Sequence, residues 1–307
     1  MNAKSISMFV AALFALTFFG TNALAQSFTI RSQNFLHLGW KPGTPFTTNK
    51  CTALSDMMGT ADLIVVQELM IASDPCQTET ATKGFTFQAN INALGSTSYK
   101  EFYGFYVRNG ANSQGTSLSY TGDTKSAAIN PFVPPPPGAT TFERPPFAVA
   151  IKAVNGPDTN YVWVGNIHSI FGKSVTQRYT EATGTATFFN TLKSTTILGT
   201  SNPTGWPVII AGDWNIPVKN KAGNYTAGFT WLSTNSADGL PYSTATSLSN
   251  TGKPASPYDH FIYSTDTLAL SNVTPVTASS TSSFSSLTNW RSRVSDHLGI
   301  QAGVSFN

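Results

Sequence analysis

Apolar runs rich in β-branched residues recur along this 307-residue chain, and turn-forming residues separate them. Residues 27–34 alternate apolar and polar side chains, as a half-buried strand does. Residues 61–68 read ADLIVVQE, an almost uninterrupted apolar run that is typical of a strand buried on both faces. The other predicted strands are residues 102–108, 147–154, 161–168, 207–213, 258–264 and 297–306.

Helical patterns are fewer. Apolar side chains recur near helical spacing over residues 175–196, and weaker helical patterns cover residues 49–59 and 228–235. The sequence contains no internal repeat. Two stacked sheets flanked by helices accommodate this many buried strands, so the sequence predicts an α/β fold.

The first residues of the chain have the pattern of an export signal. Lys4 precedes an apolar stretch over residues 6–19, and an Ala-Leu-Ala sequence ends at Ala25. The stretch has roughly 15 residues, whereas a membrane-spanning helix needs about 20. We therefore predict a signal peptide over residues 1–25 and one domain over 26–307, in a secreted or periplasmic protein without stable membrane association. An uncleaved N-terminal anchor is the alternative.

The charge balance limits how the chain can bind nucleic acid. The chain has 18 basic and 15 acidic residues, for a formal net charge of +3. A protein that grips nucleic acid along a broad basic face is much more basic than this. Any nucleic acid is therefore expected to be bound locally and turned over.

The two cysteines are an even pair in a chain that is predicted to be exported, so we predict a disulfide between Cys51 and Cys76. A loop of about 25 residues closed in this way would stabilise the fold by roughly 3 kcal/mol. Because Glu68 lies in that loop, the bridge is expected to steady its surroundings.

Polar residues stand at or beside the ends of the predicted strands, which is where α/β enzymes place their sites. They are Asn34, Glu68, His168, Asp213 and Asp259, with Asp296 just before the last strand. Hydrolysis of a phosphodiester needs a deprotonated water, charge stabilisation on the phosphate and a proton for the leaving oxygen. Carboxylates, imidazoles and a bound metal supply these needs.

Each residue also has a structural interpretation when it is taken alone. A carboxylate that ends an apolar strand, as Glu68 does, indicates a divalent metal, or else a turn. Gly212 allows a close turn before Asp213-Trp214-Asn215, so that the two alternate polar residues can face one phosphate. Arg144 can fork onto a phosphate or form a surface ion pair.

The remaining polar positions have equally ordinary alternatives. His168 can be a structural histidine, Asn34 a turn residue, and the pair Asp296-His297 a turn acid beside a surface histidine. We take the other two histidines, His37 and His260, as structural.

In combination, the motifs NF, VVQE, SYKE, RPPF, GNIH, GDWN, YDH and SDH occur in an order that resembles the endonuclease/exonuclease/phosphatase superfamily. More narrowly, the chain resembles pancreatic-type deoxyribonuclease I from about residue 28 to residue 304. The resemblance implies a four-layer α/β/β/α sandwich with two stacked mixed β-sheets. It also implies a monomeric, metal-dependent endonuclease that hydrolyses DNA with little sequence specificity.

The resemblance further implies a metal site and a phosphate site. Glu68 and Asp296 would bind Mg²⁺ or Mn²⁺, with Asn34 close by. Asp213 would orient or deprotonate the attacking water, and Asn215 would bind the phosphate. Ca²⁺ is expected as a structural ion, with no residues assigned to it.

Two acid–imidazole pairs are implied as well. His168 and His297 would flank the scissile phosphate as acid and base. Glu101 would orient His168 and Asp259 would orient His297, which fixes each tautomer and raises the basicity of the ring. Arg144 would neutralise phosphate charge.

The implied DNA contacts are less complete. Tyr99 would pack against the sugar-phosphate edge of a minor groove. Two residues after Glu68, where the deoxyribonuclease has an arginine that enters the minor groove, this chain has Met70. Methionine can wedge at a base step but cannot attract phosphate, so tight binding of duplex DNA is placed in doubt.

Three alternative functions follow from the same residues. A genotoxic nuclease of the distending-toxin type and a phospholipid phosphodiesterase would use the same fold. Lipid cleavage would favour exposed aromatic residues at the mouth of the site, for which Phe35, Trp40 and Phe171 are candidates. A non-catalytic binding module is disfavoured, because no histidine or metal-binding glutamate of the pattern is lost.

Overall fold

The computed structural model describes residues 26–90, 101–127, 142–172, 175–241, 243–276 and 283–307. In chain order the strands are β1 (Ser27–Leu38), β2 (Leu63–Leu69), β3 (Phe85–Ala89), β4 (Phe102–Arg108), β5 (Ser117–Ser126), β6 (Phe147–Asn155), β7 (Asp158–His168), β8 (Val208–Asp213), β9 (Ala237–Asp238), β10 (Asp259–Tyr263), β11 (Leu268–Pro275) and β12 (Ile300–Phe306). The helices in these ranges are α1 (Pro45–Met58), α2 (Gln77–Thr82), α3 (Val175–Ser194) and α4 (Leu287–Arg293), with a 3-10 turn at Ala227–Phe229.

These strands form two six-stranded sheets. The first has the order β11-β12-β1-β2-β4-β3 and the second the order β5-β6-β7-β8-β10-β9. In the first sheet β1 and β2 are parallel, and in the second β7 and β8 are parallel, whereas the other named pairs are antiparallel. Parallel neighbours need a crossover connection, and α1 and α3 lie in the two crossovers.

The sheets pack face to face, and helices cover their outer faces. Val65 and Val164 lie in the core between the sheets. Ile64 points to the other face of β2 and packs in a second core that includes residues of α1 and α4. Trp163 similarly packs in a third core with residues of α3. The predicted four-layer α/β/β/α sandwich is confirmed.

The elements that sequence reasoning missed have weak apolar patterns. The edge strand β5 reads SLSYTGDTKS and is mostly solvent-accessible, and strands β3, β9 and β11 also lie near or at sheet edges. The short helices α2 and α4 were not predicted either. Helix α1 begins at Pro45, earlier than the predicted 49, because proline is well suited to the first turn of a helix. The predicted helix over 228–235 is reduced to the 3-10 turn.

The predicted disulfide is confirmed. Cys51 in α1 is bonded to Cys76, which lies immediately before α2, and the two are 25 residues apart. Across the described ranges, no helix combines the length and the apolar character that a membrane crossing requires.

Candidate active site

The two sheets bring polar strand ends to one edge of the sandwich. His168 ends β7 and pairs in register with Asp213, which ends the parallel strand β8. Asp213 in turn pairs with Asp259, the first residue of the antiparallel β10. An open cavity of about 290 Å³ lies at this edge. Its lining residues are Leu36, His37, Glu68, Arg144, His168, Phe171, Asp213, Asn215, Asp296 and His297.

Local backbone geometry explains why glycine precedes Asp213. Gly212 has φ +150°, and a Cβ there would lie 1.9 Å from the carbonyl oxygen of Ile167. Only glycine therefore lets β8 approach β7 this closely, which places Asp213 beside His168. Asn215 has φ +52°, a left-handed conformation that is uncommon for a residue with a side chain and that occurs often at functional sites.

The first acid–imidazole pair joins His168 to Glu101. The Nδ1 atom of His168 is 2.9 and 3.0 Å from the two carboxylate oxygens of Glu101, which is fully buried. Arg144 lies beside the pair, with Nε 3.4 Å from a Glu101 oxygen, and it also donates hydrogen bonds to the carbonyl oxygens of His168 and Ser169.

The charge of this first pair follows from burial and from Arg144. Burial raises the pKa of Glu101 to about 7, against the opposing effect of Arg144. Burial and the Arg144 guanidinium together lower the pKa of His168 to about 4. His168 is therefore neutral at pH 7. Because Nδ1 donates its proton to Glu101, Nε2 is the acceptor atom on the cavity side.

The second pair joins His297 to Asp259. The Nδ1 atom of His297 donates to Asp259 Oδ2 at 2.7 Å, and Nε2 is 3.3 Å from Asp213 Oδ2. Burial alone would lower the pKa of His297, but the carboxylates of Asp213 and Asp259 outweigh it and hold the pKa well above the ordinary value. His297 is therefore an imidazolium at pH 7, with a donor on each side of its ring.

Asp213 is the centre of the site. Its Oδ1 accepts a hydrogen bond from the backbone N–H of Asn215 at 2.8 Å. Its Oδ2 accepts from Asn34 Nδ2 at 3.2 Å and lies 3.6 Å from His168 Nε2 as well as 3.3 Å from His297 Nε2. Burial raises the pKa of Asp213, with His297 opposing, so its carboxylate is a stronger base than an exposed aspartate.

Glu68, the last residue but one of strand β2, lines the cavity on the other side of Asn34 from Asp213. Its Oε1 accepts from Asn34 Nδ2 at 3.0 Å, and its Oε2 is 3.2 Å from His37 Nε2. Asn34 Oδ1 accepts the backbone N–H of Leu36 at 2.9 Å, which fixes the orientation of the amide. Asn34 is therefore a donor to the carboxylates of both Asp213 and Glu68, the latter a predicted metal ligand. Asp296 is partly exposed and is 3.7 Å from Arg291.

Two groups of residues have the chemistry to hold a divalent cation. Glu68 and Asp296 line the same cavity and offer the hard oxygen atoms that Mg²⁺ and Mn²⁺ take. Asp213, Asp259 and His297 also bring ligand atoms within 4.8 Å of one another. In the second group each ring nitrogen of His297 already faces one of the two aspartates, so a cation there would have to displace a proton from the ring.

Two residues at the site were missed by sequence reasoning. His37 was predicted to be structural, yet it lines the cavity and contacts Glu68. Lys50 of α1 is buried beneath the site and donates to the carbonyl oxygens of Phe35 and Val294, and burial lowers its pKa to about 7. The nearness of His37 to Asn34 in sequence was a usable signal, whereas nothing in the surroundings of Lys50 marks it.

The other predicted residues have varied positions. His260 lies outside the cavity lining and is bonded to Asp238 and to a backbone carbonyl, as expected for a structural histidine. Tyr99 lies outside the described residues. Met70 is half-buried and is not part of the cavity lining. The prediction of Phe35 as an exposed aromatic residue is wrong, because its side chain is fully buried in the core beneath α1.

No protein-family model matches the sequence, and no curated protein matches it. Among solved structures, the catalytic domain of human Nocturnin with bound sulfate has a TM-score of 0.58 at 13% identity, over 92% of this chain and 94% of that chain. An endonuclease/exonuclease/phosphatase family protein from Bacteroides thetaiotaomicron has a TM-score of 0.57 at 12% identity, over 92% and 99%. ANGEL2, a 2′,3′-cyclic phosphatase, in complex with adenosine-2′,3′-vanadate has a TM-score of 0.56 at 10% identity, over 92% and 96%.

These structures share the two-sheet sandwich with this chain. The protein has the fold of the endonuclease/exonuclease/phosphatase superfamily, as its motifs predicted. The narrower likeness to pancreatic-type deoxyribonuclease I stays a prediction from the sequence.

Proposed function

We propose that this chain is an exported, metal-dependent phosphodiester hydrolase that cleaves DNA with little sequence specificity. One observation carries the proposal. A neutral imidazole and a charged imidazole, each bonded to its own buried carboxylate, meet the same aspartate, with Nε2 atoms 3.6 and 3.3 Å from Asp213 Oδ2. Hydrolysis of a phosphodiester uses a proton acceptor and a proton donor in one place.

The charge of each group determines whether it accepts or donates a proton in the proposed reaction. Asp213 accepts the proton that the attacking water loses, while the Nε2 atom of His168 accepts a hydrogen bond from the other O–H of that water. His297 donates to a phosphate oxygen or to the leaving oxygen. Because Asp213 lies between the two imidazoles, it can return the accepted proton to His297 after the reaction.

The phosphate would be held by groups already oriented in the cavity. Arg144 is fixed by its bonds to the carbonyl oxygens of His168 and Ser169, and Asn215 Nδ2 donates to the carbonyl oxygen of Ser169 at 2.8 Å. Both side chains therefore line the cavity in ordered positions. We propose that Glu68 and Asp296 hold Mg²⁺ or Mn²⁺, which when bound supplies electrostatic stabilisation of the charge on the phosphate.

The choice of DNA and the proposed export rest on the sequence. The segment SYKE, which includes Tyr99 and Glu101, resembles the deoxyribonuclease segment that contacts DNA, and residues 1–25 have the pattern of a signal peptide. Nicked plasmid is expected in Mg²⁺ or Mn²⁺ and not in chelator, and His168→Ala is expected to abolish the nicking. Unchanged plasmid with metal, or nicking that chelator does not affect, would contradict the proposal.

Two further measurements separate the parts of the proposal. Bis(p-nitrophenyl) phosphate and p-nitrophenyl phosphate compare a diester with a monoester, and the diester is expected to be the better substrate. N-terminal sequencing of protein recovered outside the cytoplasm is expected to begin at Gln26. A chain beginning at Met1 would contradict the signal peptide but would leave the hydrolase intact.

A phospholipid phosphodiesterase is the second candidate. Trp40 is 55% exposed and Phe171, which lines the cavity, is 72% exposed. Exposed aromatic side chains at the mouth of a site suit a lipid interface. Turnover of sphingomyelin and phosphoinositide vesicles should be compared with turnover of DNA, and faster turnover of lipid would reverse the ranking of the two candidates.

A further inference from the structure

An irregular stretch near the end of β1 orients a histidine toward the proposed metal site. His37 lines the cavity, and its Nε2 atom is 3.2 Å from Glu68 Oε2. Resting on the proposed function, we infer that His37 is a nitrogen ligand of the ion that Glu68 holds, and that this site favours Mn²⁺ over Mg²⁺.

The position of the His37 ring is fixed from several sides. Leu36 and His37 have φ values of +47° and +67°, two consecutive left-handed residues that each carry a side chain. The backbone N–H of Leu36 is bonded to Asn34, and the carbonyl oxygen of Phe35 accepts from Lys50. The edge of the His37 ring also packs against Trp40, with centroids 4.7 Å apart.

This arrangement uses strained backbone to direct one side chain. Left-handed conformations of such residues are strained and persist only where the surroundings enforce them. The segment is an irregularity within the paired part of β1, between the pairs Asn34↔Gln67 and Leu38↔Leu69, so a regular extended strand there would not give the ring this orientation. The bonds to Leu36 and Phe35 enforce the conformation that brings the ring to the carboxylate.

The chemistry of the donor set indicates which ion it favours. Mg²⁺ is held by oxygen atoms and keeps most of its waters, whereas an imidazole nitrogen suits transition ions better. Glu68 and Asp296 alone would form an oxygen-only site. Addition of His37 Nε2 makes a mixed site, and that change favours Mn²⁺ while adding little for Mg²⁺.

A simple hydrogen bond from His37 to Glu68 is the competing interpretation. In that case His37 would only position the carboxylate, and its removal would lower the affinity for every divalent cation to the same degree. Glutamine is a discriminating replacement, because its amide can still donate to Glu68 but is a poor ligand for Mn²⁺. Alanine removes both capabilities.

The test measures metal binding and does not depend on catalysis. Calorimetry with Mn²⁺ and Mg²⁺ would be carried out on the wild-type protein, His37→Gln, His37→Ala and the catalytic control His168→Ala. Outer-shell partners alone are worth about 10- to 100-fold in metal affinity, so loss of a ligand is expected to weaken Mn²⁺ by at least that much. Mg²⁺ affinity is expected to change much less in both His37 variants, and His168→Ala is expected to keep its Mn²⁺ affinity.

Pulsed electron paramagnetic resonance supplies the spectroscopic readout. Mn²⁺ bound to the wild-type protein is expected to show coupling to an imidazole ¹⁴N nucleus, which His37→Gln loses and His168→Ala keeps. Equal weakening of Mn²⁺ and Mg²⁺ with recovery in His37→Gln, or a ¹⁴N signal that survives in His37→Gln, would overturn the inference. Mn²⁺ binding with the ¹⁴N signal but without DNA cleavage would refute the proposed function and leave the inference standing.

Discussion

Both acid–imidazole pairs face Asp213, but the pair Glu101–His168 also has the Arg144 guanidinium beside it, whereas the ring of the pair Asp259–His297 lies closer to Asp213. Arg144 Nε is 3.4 Å from Glu101, and Asp213 Oδ2 is 3.3 Å from the Nε2 atom of His297. Both imidazoles are buried and both donate from Nδ1 to a buried acid. The pKa of one is nevertheless lowered to about 4, while the pKa of the other stands well above its ordinary value.

The balance between burial and the charged groups around each ring sets the charge of its imidazole. Burial lowers the pKa of both imidazoles by the same physical cause, the loss of water around the charged form. On His168, burial and Arg144 together outweigh the opposing carboxylates of Glu68 and Asp213. On His297, the carboxylates of Asp213 and Asp259 outweigh burial. One motif used twice thus gives an acceptor and a donor, which a hydrolytic site needs at the same pH.

Removal of either imidazole is expected to have the largest effect. His168→Ala and His297→Ala should each lower kcat for phosphodiester hydrolysis by about 10²- to 10⁴-fold, because each removes one proton-transfer group. The double variant should lose little more than one single variant, since the two rings act as a unit. Initial rates on plasmid or bis(p-nitrophenyl) phosphate measure both effects. A wild-type rate in either single variant would contradict the role of that imidazole in proton transfer.

His260 offers the matched control for these substitutions. It is a buried imidazole 3.1 Å from the carboxylate of Asp238, outside the cavity lining. His260→Gln is expected to lower the midpoint of thermal unfolding and to leave kcat of the folded protein unchanged. Equal losses of rate in all three single variants would show that the losses reflect misfolding.

Substitution of the guanidinium tests the first pair directly. Arg144→Met leaves Glu101 buried without its cation, and loss of one partner of a buried ion pair costs about 3–5 kcal/mol. The free energy of unfolding from urea titration measures this cost. Lys193→Met, which breaks a more exposed pair with Asp266, should cost less than about 1 kcal/mol. Similar losses in the two variants would contradict the assigned role of Arg144.

The sequence predicted the strand ends of the site because the same pattern locates the buried strand and the polar residue at its end. An apolar run such as residues 61–68 defines a buried strand, and the polar residue that ends it must lie at the edge of the sheet. Glu68, His168, Asp213 and Asp259 were found in this way, and all four lie at the cavity or bonded to a residue that lines it.

Other contributions to the site leave no such pattern. Glu181 of α3 accepts hydrogen bonds from the backbone N–H groups of Glu143 and Ile170. These bonds order the segment just before Arg144 and the segment just after His168. The partners of Glu181 are backbone groups that any sequence supplies, so no residue type identifies them. The direction of His37 depends on two left-handed residues, which the identities Leu and His do not predict.

A conservative change tests the second pair. Asp259→Asn removes one of the two carboxylates that hold the proton on His297, so the pKa of His297 is expected to fall toward its ordinary value. Histidine resonances followed by NMR over pH, in chelator, measure the shift, and the pKa of His168 should stay low in the same spectra. An unchanged pKa of His297 would mean that Asp213 alone sets its charge.

The smallest expected effect is the pH dependence of stability in the metal-free protein, where the two pairs should again differ. Between pH 4 and 6.5 the unfolded chain binds more protons at His168 than the folded chain does, so this residue makes stability rise with pH. Between pH 4.5 and 7 the folded chain binds more protons at Glu101, so that residue makes stability fall with pH. The two slopes oppose each other. Where the two pH ranges overlap, the first pair should therefore contribute almost no net pH dependence to the free energy of unfolding.

The histidine of the second pair should instead change the stability of the protein above neutral pH. The raised pKa of His297 contributes stability that is fully present below pH 6.5 and is lost as pH rises through the folded pKa. A slope of up to about 1.4 kcal/mol per pH unit, the value for one proton, is therefore expected above neutrality. Urea unfolding in chelator should lose this slope in His297→Asn. His168→Asn should instead uncover the falling slope of Glu101 between pH 4.5 and 7, and a flat profile in that variant would show that the two residues do not compensate each other.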